Sequence, residues 1–291
     1  MTDNKEITIF QVDSFTDQVF KGNPAGVCVL EEPLDDTTMQ NIAAEMNLSE
    51  TAFALKITAG PMVDAYKFNL RWFTPKCEVD LCGHATLATA RILHDIYELK
   101  HDQLNFTSRS GDLTVTRKND FHQLDFPAGD PQHVELPEYM KCALNLYDGG
   151  LDELLQETLQ CTKTKKLLLR FKDKKAVYEA APNFNELMQA EASFDSVGVI
   201  FTAMGDQPYD FISRFFAPLF GVNEDPVTGA AHTVLTPYWS GMLNKKKMLA
   251  YQASKRGGEL IVEMKTDPKG HRHRVLISGK SVIVIQGVMR I

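Results

Sequence analysis

The chain has 291 residues, 44% hydrophobic and 24% charged, with 18 Gly and 13 Pro, which excludes disorder, collagen-like repeats and low complexity and suits two domains of about 100–200 residues each. Its 31 Lys and Arg against 38 Asp and Glu leave a formal charge of −7, so there is no electrostatic reason to bind nucleic acid or an anionic membrane surface. The five cysteines are scattered, the first residues are polar, and no apolar run approaches the roughly 20 residues that cross a bilayer, so the expectation is free thiols and a cytoplasmic protein.

Residues 7–13 alternate as a strand does. Gly22-Asn-Pro-Ala-Gly26 reads as turn chemistry ahead of a buried-strand run at 27–30. Residues 35–47 predict a helix: Asp35, Asp36, Thr37 and Thr38 offer capping oxygens, while Met39, Ile42, Ala43 and Met46 recur at helical spacing. Strands are expected at 51–57 and 66–73. Cys82-Gly-His-Ala-Thr86 opens a second helix, in which Ala85, Ala88, Ile92, Ile96 and Leu99 form one apolar stripe. Three strands around Leu104, Leu113 and Leu124 follow, with turns at Ser110-Gly111-Asp112 and Lys118-Asn119-Asp120.

The stretch 127–137, rich in Pro, Gly and Asp, marks a domain boundary. The expected halves are residues 1–127, completed by the last strand at about 281–291, and residues 128–280. In the second half, strands are expected at 167–171, 177–181, 197–202 and 211–216, and a helix at 230–240. The Lys-rich segment 163–175 is interrupted by Leu167-Leu-Leu-Arg-Phe171 and reads as a solvated hairpin edge.

Arg71-Trp-Phe-Thr-Pro75 returns as Arg214-Phe-Phe-Ala-Pro218 at an offset of 143 residues, close to half the chain. Each block leads to an acidic loop and then to a glycine that opens a helix: Glu78-Val-Asp-Leu-Cys-Gly-His-Ala-Thr86 in one, Glu224-Asp-Pro-Val-Thr-Gly-Ala-Ala-His232 in the other. The repeat predicts two homologous halves facing each other. The first N–H groups of a helix and its macrodipole attract anions, so the starts at Gly83 and Gly229 are expected to hold a carboxylate or a developing enolate in one inter-domain cleft. The bland alternative is that both glycines only serve tight turns.

Asp13-Ser-Phe-Thr16, Phe20-Lys-Gly-Asn-Pro-Ala-Gly-Val27, Ser49-Glu-Thr-Ala-Phe53, the Arg71 block, Cys82-Gly-His-Ala-Thr86 and Glu224-Asp-Pro-Val-Thr-Gly229 resemble, in order, the motifs of the PhzF-like (phenazine-biosynthesis) isomerase family. Asn47-Leu48 and Arg256-Gly-Gly-Glu-Leu260 are similar to its animal phenazine-biosynthesis-like domain members. The resemblance spans nearly the whole chain. It implies the diaminopimelate-epimerase-like α+β fold, with two pseudo-symmetric halves, each a mixed sheet or barrel around a central helix. It also implies a cofactor-independent isomerase that moves a proton between carbons of a small anionic metabolite, and it is compatible with a homodimer.

By spacing, Glu50 lies at an element junction, either as a surface residue after a helix or as an acid/base group aimed at a cleft. Its resemblance to the family's Ser-Glu-Thr glutamate selects the second. His84 is expected to hydrogen-bond substrate or assist proton movement, with a packed or capping histidine as the alternative. Asp225 is the matching group of the second half, expected either to bind a substrate amine or ammonium or simply to form the turn before Pro226. Asn23 resembles a substrate-contacting position of the wider fold, though turn formation alone explains it nearly as well. Cys82, Gly83, Gly229 and Ala230 complete the expected binding set.

Cys82 resembles the first cysteine of the related two-thiol epimerases, but the second would fall at Thr228, whose hydroxyl is a poor base, so that mechanism is disfavoured. A Cys82/His84 hydrolase lacks an orienting third group. Cys77, Cys82 and His84 match no structural zinc spacing, and no dinucleotide fingerprint or P-loop is present, so neither a metal nor a cofactor is expected. Ala230 stands where many family members carry Ser and removes one hydroxyl donor. It is the one sequence feature that favours the alternative, a non-catalytic metabolite-binding or regulatory protein on the same scaffold.

Overall fold

The computed structural model describes residues 6–146, 151–266 and 273–291. Its first elements are β1 (Glu6–Ser14), β2 (Asn23–Leu30), α1 (Asp36–Met46), β3 (Glu50–Lys56), β4 (Lys67–Phe73), β5 (Glu78–Val79) and α2 (Gly83–Asp95). Next come β6 (Gln103–Ser108), β7 (Gly111–Lys118), β8 (Phe121–Pro127), β9 (Gln132–His133), α3 (Glu138–Ala143), β10 (Leu155–Cys161) and β11 (Lys166–Phe171). The remainder is α4 (Lys174–Tyr178), α5 (Phe184–Ser193), β12 (Val199–Met204), β13 (Phe211–Ala217), β14 (Val222–Asp225), α6 (Gly229–Leu243), β15 (Lys247–Gln252), β16 (Gly258–Thr266), β17 (His273–Gly279) and β18 (Ser281–Arg290). These mixed α+β elements divide into one unit of residues 1–125 with 278–291 and a second of residues 126–277.

In the first unit β1 pairs antiparallel with β18 and β2, β2 parallel with β3, β3 antiparallel with β4, β4 parallel with β6, and β6 antiparallel with β7. The parallel step from β2 to β3 needs a crossover, and α1 supplies it. Asp35 caps α1 by accepting from the Thr38 backbone N–H at 2.9 Å, and Asn47, at φ 50°, ends it in the left-handed region. Its buried residues Met39, Ile42 and Ala43 join a core with Phe53 and Phe73. Burying Ile42 alone contributes about 1.5–3 kcal/mol.

Helix α2 departs from the one-stripe expectation. It ends at Asp95; Ile96 is its C-cap and is 40% exposed, while residues 84–90 and 92–94 are all buried. The helix packs against β1, β2, β3 and β18, so its polar side chains must be satisfied within the unit. Thr86 and Thr89 do so by donating to the carbonyls of Cys82 and Ala85 at 2.6 and 2.8 Å.

In the second unit β10 pairs antiparallel with β11, β11 parallel with β12, β12 antiparallel with β13, β13 parallel with β15, and β15 antiparallel with β16. This is the same succession as β1-β2-β3-β4-β6-β7. Helix α6 follows β14 as α2 follows β5 and buries Gly229, residues 231–236 and Trp239.

Two expectations are corrected. The stretch expected as a strand at 177–181 begins inside α4: Asp173 accepts from the Lys175 N–H at 2.8 Å, which starts a helical turn that buries Ala176 and Val177. In Gly22-Asn-Pro-Ala-Gly26 only Gly22, at φ 63°, turns; Asn23 to Gly26 belong to β2 and pair with Ser14 to Gln11. Pro24 is tolerated there because the pairing with β3 starts one residue later, at Ala25 opposite Glu50. Helix α5 forms where no element was predicted, capped by Asn183 and burying Leu187 and Ala190.

The sequence repeat reappears as one repeated interaction. Arg71 on β4 forks onto Glu78 with Nε and Nη2 at 2.7 and 2.6 Å, and Nη1 reaches Asp36 Oδ1 at 2.7 Å. Arg214 on β13 forks onto Glu224 at 2.6 and 2.9 Å, and its Nη1 donates to the Ala180 carbonyl at 2.8 Å. Each guanidinium also lies over the ring two residues on, 5.1 Å from Phe73 and 4.9 Å from Phe216. Each fork ties down the short strand that delivers the chain into a buried helix. A lysine supplies neither the fork nor the stacked plane. Arg71→Lys and Arg214→Lys are each expected to cost about 1–2 kcal/mol, read as a lower denaturant midpoint with unchanged m-value.

Candidate active site

Glu50 is the first residue of β3 and His84 the second of α2. Glu50 Oε2 lies 3.3 Å from His84 Nε2, with the glutamate side chain 18% exposed and the imidazole buried. On the far side of the ring, Asn23 Nδ2 is 3.2 Å and Cys82 Sγ 3.4 Å from Nδ1. An amide nitrogen only donates, so with Asn23 placed this way Nδ1 accepts and Nε2 carries the ring hydrogen. Burial pulls the His84 imidazole down to about 3, so the 3.3 Å contact with Glu50 joins a carboxyl group to a neutral ring and is not an ion pair. Ser14 Oγ donates to the His84 carbonyl at 2.9 Å and holds this turn of α2 against β1.

The two central helices share an unusual start. Asp35 and Asn183 cap α1 and α5 with their own side chains, whereas α2 and α6 begin at Cys82 and Thr228 with no side-chain cap. Instead, a side chain one turn in satisfies the capping carbonyl: Thr86 Oγ1 for Cys82, and His232 Nδ1 for Thr228 at 2.8 Å.

In the second unit Asp225 ends β14, and its Oδ2 accepts from Thr228 Oγ1 at 2.5 Å. Buried Gln252, at the end of β15, accepts from the Thr228 N–H at 2.8 Å and donates to the Asp225 carbonyl at 2.8 Å. Ser254 Oγ donates to the Pro226 carbonyl at 2.7 Å. Asp225 therefore does form the turn before Pro226, and the turn directs its carboxylate.

The chain thus brings Glu50, His84, Cys82 and Asn23 together around the start of α2 at Gly83, and gathers Asp225, Gly229 and Ala230 with Thr228 at the start of α6. Sequence reasoning passed over Ser14 and Gln252. Ser14 stands inside a recognised motif without a role, and nothing marks Gln252 before β15 is seen to run past Thr228. As for metal ligands, Glu50, Cys82 and His84 each present one donor atom within 4.8 Å of the others. Cys77 is exposed, with its Sγ 3.7 Å from Thr74 Oγ1. A carboxylate beside a neutral imidazole donor can accept, hold and return a proton.

Three buried imidazoles sit well below their ordinary value through burial: His84 and His122 at about 3, His232 at about 4. The folded state then binds fewer protons than the unfolded chain, so stability is full above the unfolded value near 6.5 and is lost as pH falls towards the folded values. Between pH 6 and 4.5 each histidine is expected to contribute about 1.4 kcal/mol per pH unit. Denaturant melts against pH check this, with His84→Asn lowering the slope by one proton.

Residues 12–287 match the family model described as phenazine biosynthesis-like protein. A phenazine biosynthesis-like domain-containing protein of Bos taurus is 42% identical over 296 residues, covering 98% of this chain and 99% of its own. An uncharacterized isomerase of Halalkalibacterium halodurans is 44% identical over 282 residues, 96% of each chain. The crystal structure of a PhzF family protein from Enterococcus faecalis superposes with a TM-score of 0.86 at 41% identity, covering 99% of this chain and 100% of that one. A hydroxyproline epimerase from Agrobacterium vitis, at 9% identity and a TM-score of 0.61, shares the fold alone. A family match over most of the chain, relatives above 40% identity and a shared α+β architecture lead to one conclusion: this chain belongs to the PhzF-like, phenazine biosynthesis-like protein family, with an isomerase-type role.

Proposed function

We propose that the protein is a cofactor-independent isomerase that moves a proton between two carbons of a small carboxylate-bearing metabolite, with Glu50 as acid and base. The observation that supports this most is the neutral His84 imidazole, oriented by Asn23, with its Nε2 held 3.3 Å from Glu50 Oε2. The Glu50 carboxylate takes a proton from one carbon, and the electron pair moves into an enolate conjugated with the substrate carboxylate. The resulting carboxylic acid returns the proton to a second carbon as the pair moves back, so the substrate keeps its composition and charge.

The uncapped start of α2 at Gly83 receives the anionic end of the substrate, with Cys82 and Asn23 setting its orientation. Asp225, Gly229 and Ala230 form the substrate-holding group of the second unit. Ala230 offers a backbone N–H without a hydroxyl, which narrows what that group can hold. The relatives named as isomerases support the reaction class.

Incubation with metabolite pools in D2O, followed by mass spectrometry of carbon-bound hydrogens, tests the reading. Deuterium is expected to enter one small acid with the wild type, to fall roughly a thousandfold with Glu50→Gln, and to stay within about tenfold with Cys82→Ser. Uptake that survives Glu50→Gln overturns the role of Glu50. Uptake lost only with Cys82→Ser means a one-cysteine racemase instead.

A further inference from the structure

The buried cluster around His84 carries a chemistry beyond proton transfer. Glu50, Cys82 and His84 come from β3, from the residue before α2 and from its second position, and bring one donor atom each from a carboxylate, a thiol and an imidazole within 4.8 Å of one another. A zinc ion bound tetrahedrally to N, O and S donors requires edges of about 3.3 Å between N and O and about 3.5 Å between N and S. His84 Nε2 lies 3.3 Å from Glu50 Oε2 and 4.0 Å from Cys82 Sγ. All three donor atoms fall within 4.8 Å of one another, and Cys82 Sγ, which rests 3.4 Å from Nδ1, closes the set by turning about its Cα–Cβ bond toward Nε2. We propose that Glu50, Cys82 and His84 form a three-ligand site for a borderline-soft divalent cation of the zinc and cobalt class.

The donor set defines the class of ion. Thiolate with imidazole selects zinc or cobalt over magnesium and calcium, which take oxygen ligands. Binding replaces the Cys82 thiol proton, released to solvent, with a metal–sulfur bond, and moves the His84 hydrogen from Nε2 to Nδ1. Asn23 stands beside Nδ1 and, with its amide turned, offers the oxygen that this hydrogen requires. On the reading that Glu50 is the acid/base, an occupied site removes both the carboxylate and its histidine from proton transfer, and the ion is an inhibitor rather than a helper. The spacing of Cys77, Cys82 and His84 concealed this set, because Cys77 lies outside it and Glu50 arrives from 32 residues before Cys82.

The test uses the full chain and the metal alone, with no substrate, so it is independent of the isomerase reading. Calorimetric titration with zinc chloride is expected to give one equivalent bound. Affinity should fall at least tenfold in Cys82→Ser and in Glu50→Gln and stay unchanged in Cys77→Ser. Cobalt(II) bound to the wild type is expected to show a thiolate-to-metal charge-transfer band in the near ultraviolet, absent in Cys82→Ser. Absence of zinc binding by the wild type, equal affinity in Cys82→Ser, or a cobalt spectrum without the thiolate band each overturns the proposal. The cobalt spectrum needs only the wild type and decides the matter if a variant fails to fold.

Discussion

A helix buried on every side has to satisfy its own ends, and that constraint governs both units. Surface helices leave leading N–H groups to water or to a capping side chain, as α1 does through Asp35. Helices α2 and α6 do neither: their capping residues are Cys82 and Thr228, and the side chains of Thr86 and His232 spend their hydrogen bonds on the capping carbonyls.

Such a start works only if the chain enters the helix along a fixed path. Two arginine forks provide it. Arg71 holds Glu78 and the first turn of α1, while Arg214 holds Glu224 and the carbonyl end of α4, so each short strand before a central helix is fastened on two sides. Side chains are partly buried at both forks, which keeps the bidentate bonds from being screened as exposed pairs are. In the second unit Gln252 adds a further brace across the Asp225–Thr228 turn.

The environment of His84 follows from the same burial. Enclosed by β1, β2 and β3, its ring is neutral over the physiological range, and a neutral imidazole with one accepting and one donating nitrogen can direct a neighbouring carboxylate without competing for its charge. Glu50 is the more accessible member of the pair, its side chain 18% exposed against 6% for His84. The same crowding brings the Cys82 sulfur to the ring.

Several features were legible in the sequence because their causes are local. Asp35 and Asn47 bound α1 through capping and left-handed geometry within a few residues, and the Arg-x-Phe blocks displayed the duplicated plan before any coordinates. The motifs around Asp13, Asn23, Glu50, Arg71, Cys82 and Asp225 identified the family and the candidate residues. What the sequence left open depends on distant neighbours. Val177 looked like part of a strand until Asp173 and burial made it helical, and Asn23 to Gly26 looked like a turn until pairing with β1 extended them. Residues 84–94 of α2 showed one stripe because periodicity counts apolar residues, while Thr86 and Thr89 are buried through hydrogen bonds that periodicity cannot register. By itself, then, the sequence determined the kind of residues available, the two halves of the plan and the family. Only the tertiary structure decided that Glu50 meets His84 across 34 residues, that Asn23 sets the ring's hydrogen, and that Gln252 braces Asp225, because these contacts come from strand pairing between segments with no local relation to one another.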